Sequence, residues 1–137
     1  MKHVAGGRSR AVMIALWTAT ILVTIGIGLA GAMKFVQPAH WRPLFAGWGY
    51  PSWMATATGV AEVAGAVGLL VPRLAFYAAM LLLAVMAGAL GTLLTHRGGS
   101  LGWGATPLFY MALLAGIGVA RRPKRAERPD APKSDTL

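Results

Sequence analysis

The sequence predicts an all-α protein, a transmembrane four-helix bundle with its N- and C-termini on the cytoplasmic side. Three observations predict it. Of 137 residues, 56% are hydrophobic and only 12% are charged, where soluble domains carry about 25% charged residues. The few charges are segregated: no Asp, Glu, Lys or Arg falls within 11–33, 74–96 or 98–120, and Glu62 is the one charge within 52–72. A water-facing helix needs a polar face, and these runs have none. Finally, the basic residues flank the apolar runs unequally, which fixes the orientation.

The first span is expected over 11–35. Its uncharged part, Ala11 to Met33, makes about 34 Å of helix, enough to cross a bilayer core with some tilt. A basic start (1–10) before an apolar run resembles a signal peptide, but the run far exceeds the roughly 7–15 residues of a signal core, so it is expected to stay as an anchor. Gln37-Pro38 ends the helix, because proline cannot continue it. The loop from Val36 to Tyr50 carries Trp41 and Trp48, with Trp53 just beyond. Indole rings favour the headgroup level, so this loop is expected at the interface, with 39–46 able to form a short helix there.

The second span is expected over 52–71. Pro72-Arg73 is too short for anything but an antiparallel connection to the third, over 74–95. The turn through His96 to Ser100 leads to the fourth, over 103–120, with Pro107 tolerated in its first turn. The domain is therefore 11–120, and the basic tail over 121–137, almost without apolar residues, is expected to be disordered and cytoplasmic. With the N-terminus inside, Lys2, Arg8, Arg10, Arg73 and the six tail cations lie inside and Lys34, Arg42 and Arg97 outside. Ten against three obeys the positive-inside rule for a cell-membrane protein.

A net charge of +9 placed at span ends suits anionic lipid headgroups, and no nucleic-acid partner is expected. The chain has no cysteine, which excludes disulfides and thiolate metal sites; no metal site and no intrinsic cofactor are expected. Small residues at helical spacing (Gly26 and Ala30 with Lys34; Ala57, Ala61 and Gly65; Ala84, Gly88 and Thr92 with His96) suggest faces on which helices approach closely.

Glu62 is the most informative residue. It lies near the middle of its span, where an ionised carboxylate must find a partner, water or a proton. Lys34 is the expected partner. Side chains lean toward the N-terminus of their own helix, so these two lean toward each other across a backbone gap of roughly 10–15 Å, counting 1.5 Å per residue. An ion pair that only fixes helix register weighs about equally with a functional one. Arg73 reads first as an anchor at a helix end. His96 could pass protons or meet a ligand near the outer leaflet, although a lone interfacial histidine is more often simply hydrogen-bonded. His40 sits in the tryptophan-rich loop, and the aromatic residues there could floor a quinone-like pocket as well as form an aromatic belt.

Several segments together resemble a known family. Ala32-Met33-Lys34-Phe35 closes the first span; Gly49-Tyr50-Pro51-Ser52-Trp53, Gly59 to Ala66 and Leu69 to Arg73 follow; Met86 to His96 ends the third. In this order and spacing they resemble the DoxX family, in its DoxX-like branch, over about Gly26 to Arg122. The resemblance implies a four-helix bacterial membrane protein, related to the small membrane subunit of a thiosulfate–quinone oxidoreductase and to membrane partners of oxidative-stress enzymes. It implies the family's Lys, Glu and Arg at Lys34, Glu62 and Arg73.

The expected function is accordingly a subunit or quinone-proximal anchor of a redox system, not an enzyme by itself. Its polar core is Glu62, Lys34, His96 and Arg73, and a quinone is a ligand that core could take. Its expected partners are the bilayer and a soluble or membrane redox protein, with a homo-oligomer also open. The alternatives are a small proton-coupled transporter and a structural assembly factor built round Glu62. The orientation is testable: an Arg97→Cys variant is expected to react with an impermeant thiol reagent only from outside the cell, and labelling only from the cytoplasm would contradict it.

Overall fold

Apolar sequence builds the helices, and a few polar or turn-forming residues set their limits. Ser9 caps the first, its hydroxyl accepting from the Val12 amide at 3.3 Å, which satisfies one of the free donors of the first turn. In the computed structural model, which describes residues 8–96 and 101–124, the helices are α1 (Arg10–Val36), α2 (Pro38–Gly47), α3 (Trp53–Leu70), α4 (Ala75–His96) and α5 (Leu101–Ala120). Among the described residues there is no strand. The spans expected at 11–35, 52–71, 74–95 and 103–120 correspond to α1, α3, α4 and α5, with ends differing by one or two residues. The short helix expected within 39–46 is α2. The turn over 97–100, the chain before Arg8 and the tail beyond Lys124 lie outside the described residues.

Helices α1, α3 and α4 are long and apolar enough to cross a membrane, and Gly104–Ala120 of α5 is a shorter apolar stretch. Where the helices meet, Val23 and Ile27 of α1, Leu69 of α3, Leu82 of α4, and Leu114 and Ile117 of α5 are almost wholly buried. The opposite faces are just as apolar. Ile14, Leu22 and Leu29 of α1, Tyr77 and Leu81 of α4, and Phe109 of α5 are all exposed. Soluble monomers rarely leave such continuous apolar faces uncovered, whereas hydrocarbon chains cover them without cost. Threonine hydroxyls within the apolar layer are satisfied locally or across a contact: Thr20 donates to the Leu16 carbonyl at 2.8 Å, and Thr24 of α1 to the Ala66 carbonyl of α3 at 3.3 Å.

A close approach of α1 to α3 is set by Gly31 and Gly59. A Cβ on Gly31 would lie 2.8 Å from the Glu62 Cβ and 3.0 Å from the Gly59 carbonyl oxygen; one on Gly59 would lie 3.1 Å from the Lys34 Cβ. Gly31 therefore stands level with Glu62, and Gly59 level with Lys34. The small-residue stripes divide differently from the sequence reading. Gly26 faces Tyr110 of α5, and Gly65 faces Leu82 of α4. A Cβ on Gly88 would meet nothing within 4 Å, so that part of the α4 stripe borders open space instead of a helix. Small-residue spacing marks a face that can accept close approach, but it does not say which neighbour takes it.

Candidate functional site

The α1–α3 register brings Lys34 and Glu62 into direct contact. Lys34 Nζ donates to Glu62 Oε2 at 2.6 Å and to the Ala30 carbonyl at 3.3 Å. The ammonium also lies 4.8 Å from the centre of the Trp41 ring, over its electron-rich face. Lys34 is 7% and Glu62 4% exposed, so the partners, not solvent, balance the charges. The sequence placed the two too far apart for direct contact without tilt or a bridging water. Because Lys34 is level with Gly59, only three residues, about 4.5 Å of axial rise, separate it from Glu62, and the opposed lean of the side chains spans that.

Above the pair stands a cavity of about 640 Å³. One wall is the α2 segment, whose Trp41, Phe45 and Trp48 turn inward, continued by Tyr50. Phe45 packs against Trp48 and Tyr50 at ring distances of 5.5 and 6.2 Å. The segment can fold back in this way because Gly49 takes φ +81, a left-handed conformation open to glycine, and the Tyr50 amide then returns to the Phe45 carbonyl at 3.0 Å. The facing wall is the α4 stripe, Ala84, Gly88 and Thr92. Tyr50 Oη and Thr92 Oγ1 are 2.8 Å apart, and Thr92 Oγ1 donates to the Gly88 carbonyl at 2.9 Å. With its proton so engaged, Thr92 accepts, and Tyr50 donates. This bond ties the loop after α2 to α4.

The other residues singled out from sequence separate into two groups. His40 lines the cavity beside Trp41, edge to face at 5.2 Å. His96, one turn beyond Thr92, is exposed and outside the cavity lining; its Nδ1 lies 3.1 Å from the Thr92 carbonyl and 3.2 Å from Thr95 Oγ1. Arg73 is exposed in the turn between α3 and α4, at the far end of α3 from the pair. Two of the four expected polar residues thus meet in the site, and two stand apart. Sequence reasoning undervalued Tyr50, Thr92 and Gly88. The available signal was a small-residue stripe that includes a hydroxyl, on a helix facing an aromatic loop.

The elements define a helical membrane protein with a buried ion pair beneath an aromatic-walled cavity. The chain belongs to the DoxX-like family, whose model matches residues 18–117, a range that includes the pair and every wall of the cavity described above. No curated protein and no solved structure matches it.

Lys34→Met strands the Glu62 carboxylate among apolar groups, a defect on the order of 3–5 kcal/mol. Glu62→Gln leaves a carbonyl oxygen for the ammonium and costs about 1–3 kcal/mol. Thermal unfolding in mild detergent is therefore expected to show a larger loss for Lys34→Met; equal melting temperatures for the two variants would refute the coupling.

Proposed function

We propose that the protein is a membrane subunit or anchor of a redox or oxidative-stress system, without catalytic activity of its own, and that its cavity takes the headgroup of a quinone. In this reading α1, α3, α4 and α5 each cross the cell membrane as a four-helix bundle, with both chain ends in the cytoplasm. Support for the shared side comes from the meeting of the start of α1 with the end of α5: Arg8 donates to the Ala120 carbonyl, and the Arg121 guanidinium lies 5.0 Å over the Trp17 ring. The ten-to-three distribution of cations supports the orientation.

The observation that carries the ligand reading is the cavity with a single ion pair at its base. Its volume, about 640 Å³, falls in the range of small-molecule sites, which are mostly apolar with a few polar groups that orient the ligand. A flat ring fits between indole and phenyl faces on one side and the low Ala84–Gly88 wall on the other. The Lys34 ammonium can donate to a quinone oxygen. Glu62 Oε1, which has no hydrogen-bond partner among the described residues, can accept from a hydroxyl of the reduced form. Such a ligand would carry the redox chemistry; this chain's residues would bind it, orient it and exclude water. On the other side of the pair lie Val23, Ile27, Leu69 and Leu82, fully buried. That apolar layer favours a binding pocket over a proton-coupled transport path.

A short-chain quinone analogue at about a hundredfold excess over its dissociation constant would stabilise the protein by about 2.7 kcal/mol. The purified protein is expected to show that as a rise in melting temperature, reduced by Glu62→Ala and by Trp48→Ala, and little changed by His96→Ala. An unmoved melting temperature at saturating analogue, with a partner enzyme present as well as absent, would leave the structural-subunit reading in its place.

A further inference from the structure

A second set of polar groups stands at the other end of α1, seventeen residues, about 25 Å, from Lys34. There the Arg121 guanidinium lies 5.0 Å over the Trp17 ring, and its Nε is buried with no hydrogen-bond partner among the described residues. Beside it Arg8 donates to the Ala120 carbonyl, one of the free acceptors at the end of α5. The local protein contacts explain part of this arrangement. The indole face attracts the cation, and the negative end of α5 attracts both arginines. Neither supplies an acceptor for the edge of the Arg121 guanidinium. Glu62 is the one acidic residue among those described, and it is engaged with Lys34 at the far end. Arg8, Arg10, Arg121, Arg122 and Lys124 therefore have no carboxylate among the described residues.

A guanidinium partly desolvated by an indole, at the level where a span leaves the membrane, calls for an anion with paired oxygens. Guanidinium matches phosphate in that two-point fashion, which an ammonium does not. The negative lipids of the cytoplasmic leaflet present such oxygens at this depth. We infer that the junction of α1 and α5 is a binding site for the phosphodiester of an anionic phospholipid, held by Arg121 on its Trp17 platform with Arg8 alongside. The inference rests on the membrane reading and is independent of the quinone cavity.

The test uses the full-length protein in neutral detergent, titrated with phosphatidylglycerol, with phosphatidylcholine of the same acyl chains, or with inorganic phosphate, and followed by melting temperature and by retained lipid in native mass spectrometry. Phosphatidylglycerol is expected to be retained and to raise the melting temperature, with phosphatidylcholine at least tenfold weaker and inorganic phosphate without effect. Arg121→Gln is expected to lose at least tenfold in affinity, and Arg122→Gln, at an exposed neighbour outside the site, to keep it. Should Arg121→Gln fold poorly, Trp17→Leu tests the same platform. Equal loss in Arg121→Gln and Arg122→Gln would reduce the site to diffuse charge and overturn the inference. So would an equal response to the two lipids, or binding by free phosphate alone. Retention that emerges only after Glu127, Asp130 and Asp135 are all neutralised would show the chain's own tail to be the occupant, and would overturn it as well.

Discussion

Two opposite charges inside an apolar layer have to be adjacent, and that requirement governs the arrangement of α1 and α3. Lys34 and Glu62 reach each other at 2.6 Å only in a register that sets Gly31 beside Glu62 and Gly59 beside Lys34. Sliding one helix by a turn would move one charge about 5.4 Å along the axis from its place beside the other, and neither can turn to water. It would also bring side chains to the crossing where only glycine fits. Charge pairing and backbone packing thus select the same alignment. Each makes the other more specific, in the manner of a buried polar contact that fixes register.

The cavity depends on that alignment. Lys34 lies in the last turn of α1, and Gln37-Pro38 immediately redirects the chain into α2, so the ammonium holds Trp41 by its ring face and positions the aromatic segment above the pair. The segment is then tied to α4 by the Tyr50–Thr92 hydrogen bond. Between these two attachments the wall opposite α2 includes Ala84, Gly88 and Ala89, which are too small to fill the space. An open volume beside a buried charge pair is costly to keep in a structure selected for packing alone, which is the physical reason for reading it as a binding site.

Much of this was legible in the sequence. Long uncharged runs, a proline after each of α1 and α3, and a tryptophan-rich connection give the five helices nearly to their ends. The identity of Glu62 and Lys34 as partners followed from the rarity of charge within the spans and from the lean of helical side chains. Their direct contact was not legible, because hydropathy does not say at what depth one helix begins relative to its neighbour, and here α3 is offset against α1 by the glycine crossing. Gly88 was hidden for a similar reason: a glycine that allows close packing and one that leaves a cavity open look the same in a sequence. His96 lies on the same helical face as Thr92, but one further turn carries it past the cavity.

The central claim is that the Lys34–Glu62 pair is an energetic unit on which the register of α1 and α3 depends. A double-mutant cycle in unfolding stability, using Lys34→Met, Glu62→Met and the two together, measures it most directly. Removing both charges leaves nothing stranded, so the double variant should be more stable than Lys34→Met alone, with a coupling energy in the range of about 0.5–3 kcal/mol seen for contacting residues. Additive losses, with the double variant the least stable of the three, would contradict the account.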